Sequence, residues 1–382
     1  MTFDLREHIS NSAFAFRGYN INNLGRTDEL LDHHAYGPVV KELLSEASEI
    51  VSEAVGEKID LVRRVREKAE STLDTFAADM AQVIATELAQ VRILDQFFDL
   101  PMNKARVTCG YSLGEVAALI ASNVYDLRDI LTAPLTLAKD CADLGRNVTM
   151  GVLFSRGPEL DATAVERLCL DINAEGNGVI GISTYLSPNT FLLLGQNSTI
   201  DTFRKRMRDV LPEKTHLRKN EHSWPPLHTP LLWDKSIPNR AAVLQHTMVG
   251  GFTAPDPPII SCVTGKVSYN EHNSRELLNR WIDHPQKLWD VVYEILSMGI
   301  DVVIHVGPEP NLIPATFKRL SDNVTAQLKG RTLNSVGLRA MSGIARRPWL
   351  SKLLSSRAAL LRAPFVHHVI LEDWLLDQSL PG

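Results

Sequence analysis

The sequence lacks any uninterrupted apolar run approaching the roughly 18 residues that a membrane-spanning helix needs. Its opening residues, 1–8, also lack the basic stretch followed by an apolar stretch that marks a secretory signal peptide. Positive charge is not in excess, because 40 Lys and Arg stand against 45 Asp and Glu and the net charge is −5. We therefore expect a cytoplasmic protein whose partners do not include nucleic acid.

Cysteine is also scarce. The four cysteines are scattered without metal-ligand spacing and without the pattern of a secreted disulfide framework: Cys109, Cys141, Cys169 and Cys262. We expect a reducing compartment and no bound metal. With 382 residues and 44% hydrophobic content, the chain is long enough to bury a full core in one large domain or two smaller ones.

One short segment, residues 109–120, carries the strongest functional signal. Ser112 stands between Gly110 and Gly114, after a β-rich stretch and before an apolar, helix-favouring run. A G-x-S-x-G motif in the order strand, sharp turn, helix is the context of a nucleophile elbow. The turn strains the backbone at the serine, and flanking glycines avoid the resulting clashes. We predict that Ser112 is a nucleophile, the alternative being an ordinary tight turn.

The rest of the chain alternates strands with helices, which predicts a mostly parallel sheet covered on both faces. We expect an α/β protein whose α/β-hydrolase-like core comprises residues 1–140 and 220–330. Residues 141–219 follow the order β-α-β-β-α-β, typical of a ferredoxin-like subdomain inserted into that core. Pro134 predicts a kink or break in the helix that begins near residue 126.

A serine hydroxyl is a poor nucleophile unless a base removes its proton. Of the twelve histidines, His228 differs because it lies in a proline-rich loop, residues 224–232, directly after the inserted subdomain. The prolines stiffen that loop, which would position an imidazole reproducibly. His228 is therefore our candidate base in a Ser–His dyad, although spacing alone leaves the other histidines open.

Taken together, these motifs resemble the malonyl-CoA:acyl-carrier-protein transacylase family, which includes the acyltransferase domains of polyketide synthases. The family's marks are a G-H-S-x-G-E elbow, an F-H-[ST]-P-L histidine loop and a V-G-P turn. The matching segments are Gly110–Glu115, Leu227–Leu231 and Val306–Pro308, and residues 16–20 look like a degraded F-P-G-Q-G loop. The resemblance runs in order from about Phe14 to Leu320, so we identify the chain as a divergent member.

This resemblance implies an acyltransferase of fatty acid or polyketide biosynthesis that works by a ping-pong cycle. An acyl group would pass from CoA to Ser112 and then to the phosphopantetheine thiol of an acyl carrier protein, with no further cofactor. His228 would be the general base and acid, and the backbone N–H groups of Leu113 and Tyr19 would form the oxyanion hole. In the family a backbone carbonyl orients the histidine, and the matching carbonyl here falls near Trp281.

One departure from the family bears on the acyl group. Malonyl-selective members carry an arginine that binds the free carboxylate, and counting from Asp126 places its position on Leu137. Leucine cannot form that bidentate pair, and a buried malonate would leave an unsatisfied charge. We expect Leu137 to contribute to a pocket for an uncharged acyl group. The alternative is that Arg128 or Arg146 binds the carboxylate from another direction.

Two further departures affect the pocket and the oxyanion loop. Tyr111 replaces the family's histidine before the serine, which we expect to alter substrate selectivity without removing catalysis. Tyr19 and Asn20 replace the glutamine and glycine of the first loop. Two other functions therefore stay open: an acyl hydrolase that releases acyl groups from a carrier protein, and an inactive module that binds acyl chains or carrier proteins.

The C-terminal segment, residues 331–382, has no counterpart in the family's minimal domain. From Arg331 to Leu371 it holds seven basic residues, interleaved with apolar ones, and no acidic residue. Such a stretch would suit an acidic carrier protein or a membrane surface. The alternative, which we favour, is a helical extension packed on the core with its arginines solvated.

Overall fold

A computed structural model describes residues 4–329 and 356–380 of the chain. In these ranges the strands are β1 (Ser12–Phe16), β2 (Val107–Gly110), β3 (Val148–Ser155), β4 (Ile180–Ser187), β5 (Thr190–Gln196), β6 (Thr215–Ser223), β7 (Ile259–Ser261), β8 (Lys266–Val267), β9 (Val302–Val306) and β10 (His367–Ile370). The helices are α1 (Thr27–Asp32), α2 (Gly37–Val55), α3 (Leu61–Arg66), α4 (Phe76–Phe98), α5 (Leu113–Ala121), α6 (Leu127–Gly145), α7 (Ala162–Asn173), α8 (Thr199–Val210), α9 (Ile237–Gln245), α10 (Ser274–Asp283), α11 (Leu288–Ser297), α12 (Leu312–Lys329) and α13 (Leu371–Asp377). No helix in the described ranges is long and apolar enough to cross a membrane.

The larger sheet has the strand order β10-β9-β1-β2-β7-β8. All neighbouring strands are parallel except β8, which pairs with β7 in the antiparallel direction. Phe16 at the end of β1 is in register with Gly110 of β2 and with Val306 of β9. The carboxyl ends of the three central strands therefore meet at one edge, where ligands bind in open α/β sheets. The predicted mixed α/β fold with a mostly parallel sheet is confirmed.

Burial on both faces explains why these strands are apolar throughout. In β1, Phe14 and Phe16 contribute to a core shared with helices α2, α4 and α6, whereas Ala13 and Ala15 face a core shared with α11 and α12. All four side chains are fully buried. A parallel strand covered by helices on both sides needs such a continuous apolar run rather than an alternating one.

The smaller sheet has the order β4-β5-β3-β6 and is antiparallel throughout. Helices α7 and α8 pack against it around one apolar cluster. The succession of strands and helices matches the predicted order, and the predicted boundaries at 141 and 219 stay a prediction. Helix α6 continues through Pro134 to Gly145, and β6 extends to Ser223. Buried leucines on both sides of Pro134 hold this helix together despite the hydrogen bond that proline removes.

The described part of the C-terminal segment is helical except for one short strand. Ser356–Phe365 form a 3-10 helix and α13 ends the segment, whereas residues 367–370 form β10, which pairs with β9 at the edge of the larger sheet. Arg362 is buried and donates hydrogen bonds to the Ile300 carbonyl and the Asp301 carboxylate, both at 3.0 Å. The basic residues from 331 to 352 lie outside the described residues. The expected contact with a carrier protein or a membrane falls mainly on that part.

Candidate active site

The turn between β2 and α5 has the geometry expected of a nucleophile elbow. Ser112 adopts φ +53° and ψ −117°, a left-handed conformation that few non-glycine residues adopt. A Cβ atom on Gly110 would overlap the backbone of Gly114, and one on Gly114 would overlap the carbonyl oxygens of Phe16 and Arg17. Both glycines are therefore required for helix α5 to lie this close to the sheet.

The structure brings Ser112 and His228 together although 116 positions separate them in the sequence. Ser112 Oγ lies 2.7 Å from His228 Nε2, and His228 Nδ1 lies 2.6 Å from the backbone carbonyl oxygen of Trp281. The backbone N–H of His228 donates to the Ile282 carbonyl at 2.7 Å, which fixes the histidine loop against α10. The carbonyl that the family resemblance placed near Trp281 is thus in hydrogen-bond contact with the candidate base.

This arrangement determines the tautomer of His228. A ring nitrogen 2.6 Å from a carbonyl oxygen must donate, so Nδ1 holds the proton and Nε2 is free to accept the proton of Ser112. Burial lowers the pKa of His228 to about 4, and the hydrogen bond to Trp281 acts in the opposite direction. At neutral pH the imidazole is therefore uncharged and able to act as a base.

The expected oxyanion donors lie on two different loops. Leu113 is the first residue of α5, where a backbone N–H has no acceptor within the helix and the helix dipole favours negative charge. Tyr19 follows β1, and its ring packs edge-on against Phe76 and Trp224. Their role as oxyanion donors stays a prediction.

Sequence reasoning missed Arg17, which holds the loop that carries Tyr19. Its buried guanidinium donates to the Gly18 carbonyl at 2.8 Å, to Asn23 Oδ1 at 3.0 Å and to the Pro308 carbonyl. The first loop is thereby joined to the Val-Gly-Pro turn after β9. A single arginine after an apolar strand gives no sequence signal for this role, because the acceptor that joins the two loops, Pro308, lies 291 positions away in the sequence.

Glu115 is another buried charged group near the elbow. Its carboxylate accepts hydrogen bonds from Ser261 Oγ at 2.5 Å, Tyr269 Oη at 2.8 Å and the Cys262 N–H at 2.9 Å. Burial raises its pKa to about 7, whereas these donors act to lower it. Glu115 therefore links α5 to β7 and the residues after it, which stabilises the orientation of α5 behind Ser112.

Tyr111 connects the two sheets beside the nucleophile. Its hydroxyl lies 3.0 Å from Thr184 Oγ1 on β4, and a Cβ on Gly18 would come within 2.7 Å of its ring. Burial raises the pKa of Tyr111 to about 12, so the phenol stays protonated at neutral pH. Its expected influence on selectivity stays a prediction, but it lies where the two sheets meet at the site.

Leu137 lines a small apolar cavity next to the candidate base. The cavity measures about 40 Å³ and is bounded by side chains that include Phe76, Val116, Leu227, Trp281 and Ile282. Leu227 precedes His228 in the chain, and the Trp281 ring packs edge-on against the imidazole, with centroids 5.0 Å apart. In the described residues, Gln245 supplies the one amide of a lining that is otherwise apolar. Neither Ser112 nor His228 itself lines this cavity, and contact of Leu137 with the acyl group stays a prediction.

The two alternative arginines point elsewhere. Arg128 is half exposed and pairs with Glu53 at 2.6 Å, and Arg146 is half exposed and pairs with Asp74 and Asp143. Neither lines the cavity around Leu137. Both arginines are thus paired with surface carboxylates, and the alternative in which one of them replaces the carboxylate-binding arginine stays a prediction.

Comparison with known proteins agrees with this architecture. No protein-family model matches the chain. The malonyl CoA-acyl carrier protein transacylase of Bacillus subtilis is 22% identical over 377 residues, covering 97% of this chain and 85% of that protein. The crystal structure of FabD from Acinetobacter baumannii has a TM-score of 0.65 at 20% identity, covering 80% of this chain and 89% of the other.

A second similar structure is a malonyl-transacylase in complex with the acyl-carrier protein of a type II polyketide synthase. It has a TM-score of 0.59 at 21% identity and covers 80% of this chain and 91% of that one. The fold is that of the transacylases. The resemblance recognised from the motifs is confirmed, because the chain is similar to malonyl-CoA:acyl carrier protein transacylases in sequence and in fold.

Proposed function

We propose that the protein transfers an acyl group from CoA to the thiol of an acyl carrier protein through an acyl-Ser112 intermediate. The observation that carries this proposal is the hydrogen-bonded series from Ser112 Oγ through His228 to the Trp281 carbonyl. It supplies a nucleophile, a neutral base in contact with it, and a fixed acceptor that orients the base.

The proposed reaction has two half-cycles. Ser112 Oγ attacks the thioester carbonyl while His228 Nε2 takes its proton, and the N–H groups of Leu113 and Tyr19 stabilise the oxyanion. The C–S bond then breaks, and His228 returns the proton to the departing CoA sulfur. In the second half-cycle the carrier thiol gives its proton to His228 and attacks the ester. Ser112 leaves with that proton, and the thioester on the carrier is the product.

The cavity around Leu137 supports an uncharged acyl group as the preferred substrate. An apolar lining provides no partner for a carboxylate, and burying one there costs several kcal/mol, as an order-of-magnitude estimate. The similar complex of a malonyl-transacylase with its carrier protein supports an acyl carrier protein as the acceptor.

We further interpret the part of the chain built on the larger sheet as an α/β-hydrolase-like core. The part built on the smaller sheet we interpret as a ferredoxin-like subdomain.

Intact-mass measurement tests the proposal directly. The purified protein is incubated with acetyl-, malonyl- and longer acyl-CoAs, with Ser112→Ala as the matched control. A stable adduct on Ser112 that passes to a carrier protein supports transfer. Rapid conversion of the donor to free acid would instead identify an acyl hydrolase. The absence of any adduct or turnover with every donor would identify an inactive binding module.

A further inference from the structure

Gln286 lies beside His228 and has no place in the mechanism described so far. It is fully buried in the segment between α10 and α11. Its backbone N–H donates to the Ser183 carbonyl, and its carbonyl accepts from the Tyr185 N–H, both at 2.8 Å. These contacts with β4 fix the backbone of residue 286 and do not depend on its side chain. One end of the side-chain amide lies 3.2 Å from His228 Nδ1.

The hydrogen bonds around Nδ1 determine which end of the amide faces the histidine. Nδ1 donates its proton toward the Trp281 carbonyl, so an amide NH₂ group at 3.2 Å would place two donors against each other. With Nε2 in that position, the buried Oε1 has no hydrogen-bond partner in the described part of the chain. Exchanging the two ends of the amide leaves the heavy-atom positions almost unchanged.

We infer that Gln286 Oε1 accepts a second hydrogen bond from Nδ1–H of His228, shared with the Trp281 carbonyl, which makes Gln286 a positioning residue for the base. This inference rests on the proposed role of His228. In a Ser-His-Asp triad a carboxylate orients the imidazole and stabilises the imidazolium that forms. Here a neutral amide and a backbone carbonyl share that role.

The neutral acceptor fits the surroundings of His228. The pKa of His228 is lowered by burial and raised by the Trp281 hydrogen bond, and no charged group in the described ranges contributes. An amide oxygen stabilises the imidazolium without keeping it protonated at neutral pH, as a buried carboxylate would tend to do. Gln286 therefore supports the transient charge while His228 remains a base.

Two substitutions of similar size distinguish a role of Gln286 as a hydrogen-bond acceptor from a role that depends only on its volume. Gln286→Met removes the amide oxygen, and Gln286→Glu keeps an acceptor at the same reach. Acylation of Ser112 is followed with acetyl-CoA and with p-nitrophenyl acetate, an activated ester that does not require a CoA site. Gln82→Met is the matched control, because Gln82 is a buried amide on α4. Gln286→Ala replaces the Met variant if that protein does not fold.

We expect Gln286→Met to slow acylation by about tenfold, the usual effect of losing a hydrogen bond to a group that becomes charged. Gln286→Glu should stay within about threefold of the unmodified protein near pH 8. The acid limb of its pH profile should move upward, because a carboxylate favours the imidazolium. An unchanged rate in the Met variant, or a Glu variant as slow as the Met variant, would overturn the inference.

A spectroscopic measurement tests the contact independently of acyl transfer. In protein with ¹⁵N-labelled histidine, the Nδ1–H resonance of His228 is assigned by its loss in His228→Ala. Gln286→Met should shift this resonance, and Gln82→Met should not. If acetyl-CoA fails to react while this shift is present, the proposed donor is wrong but the role of Gln286 stands. If the resonance is the same in the Met variant, the inference fails.

Discussion

The indole N–H of Trp281 donates a hydrogen bond to the backbone carbonyl oxygen of Ser112 at 2.9 Å. The same residue accepts from His228 through its own carbonyl, so α10 holds both partners of the dyad. The Ser112 carbonyl also accepts from the Glu115 N–H at 2.9 Å inside the first turn of α5. Trp281 therefore couples the elbow to the histidine loop through two separate hydrogen bonds. The bond to Ser112 uses its indole side chain, whereas the bond to His228 uses its backbone carbonyl.

Replacing Trp281 by Phe isolates the indole contact. The variant keeps the backbone carbonyl for His228 and most of the apolar surface, but it loses the donor to Ser112. We expect the free energy of unfolding to fall by about 1 kcal/mol and the acylation rate to fall severalfold. Denaturant titration and stopped-flow acylation measure the two effects. A full loss of activity in a folded Trp281→Phe protein would show that the indole does more than donate this hydrogen bond to Ser112.

Ser112→Ala should abolish acyl-enzyme formation with every donor. The fold should persist, because the close approach at the elbow depends on Gly110 and Gly114 rather than on the hydroxyl. Intact mass reports the adduct, and circular dichroism with thermal unfolding reports the fold. Acylation of the alanine variant at the rate of the unmodified protein would place the nucleophile elsewhere.

His228→Ala should slow acylation by roughly two to four orders of magnitude, the range for a positioned general base. His305, which is buried in β9 away from this pair, offers the control His305→Gln. It should leave the acylation rate within a few-fold of the unmodified protein. Equal rates before and after the His228 substitution would show that another histidine is the base.

The pH dependence of acylation should follow the low pKa of His228. Its value of about 4 lies below the ordinary ~6.5, so the neutral base persists as the pH falls past 6. The rate should therefore hold between about pH 5 and 8 and decline toward pH 4. Stability from the same group is present above the unfolded pKa and is lost as the pH falls from about 6.5 through 4. An acid limb centred near 6.5 in a folded protein would contradict the buried environment.

Acyl selectivity should depend on residue 137. Uncharged acyl-CoAs should acylate Ser112 at least about tenfold faster than malonyl-CoA, since no bidentate partner for the carboxylate lines the described cavity. Leu137→Arg should recover part of the malonyl activity, and Leu137→Met should keep the original preference. Competition between acetyl- and malonyl-CoA, read by intact mass, gives the ratio. Preference of the unmodified protein for malonyl-CoA would reject the assignment of Leu137 to the arginine position.

Local sequence patterns predict the elbow and most of the strands and helices around it. A strand, a turn with two required glycines and an apolar helix are contiguous, and the steric demand on Gly110 and Gly114 is local. The apolar run of β1 likewise predicts a strand with both faces covered. The prolines around His228 indicate a stiff loop, but only the match of that loop to the family's motif favours His228 over the other histidines.

Tertiary packing decided the rest, because those contacts join segments far apart in the chain. The acceptors of Arg17 come from its own loop and from the turn after β9. Gln286 reaches His228 only where β4 meets the segment after α10. Strand β10 pairs with β9 at one edge of the larger sheet, and no local sequence pattern indicates which edge accepts a further strand. Arg128 and Arg146 are plausible by sequence distance, yet Arg128 lies on the exposed side of α6, Arg146 directly follows that helix, and both pair with surface carboxylates. Sequence by itself determined which groups can react, and the packing of the two sheets determined which of them meet.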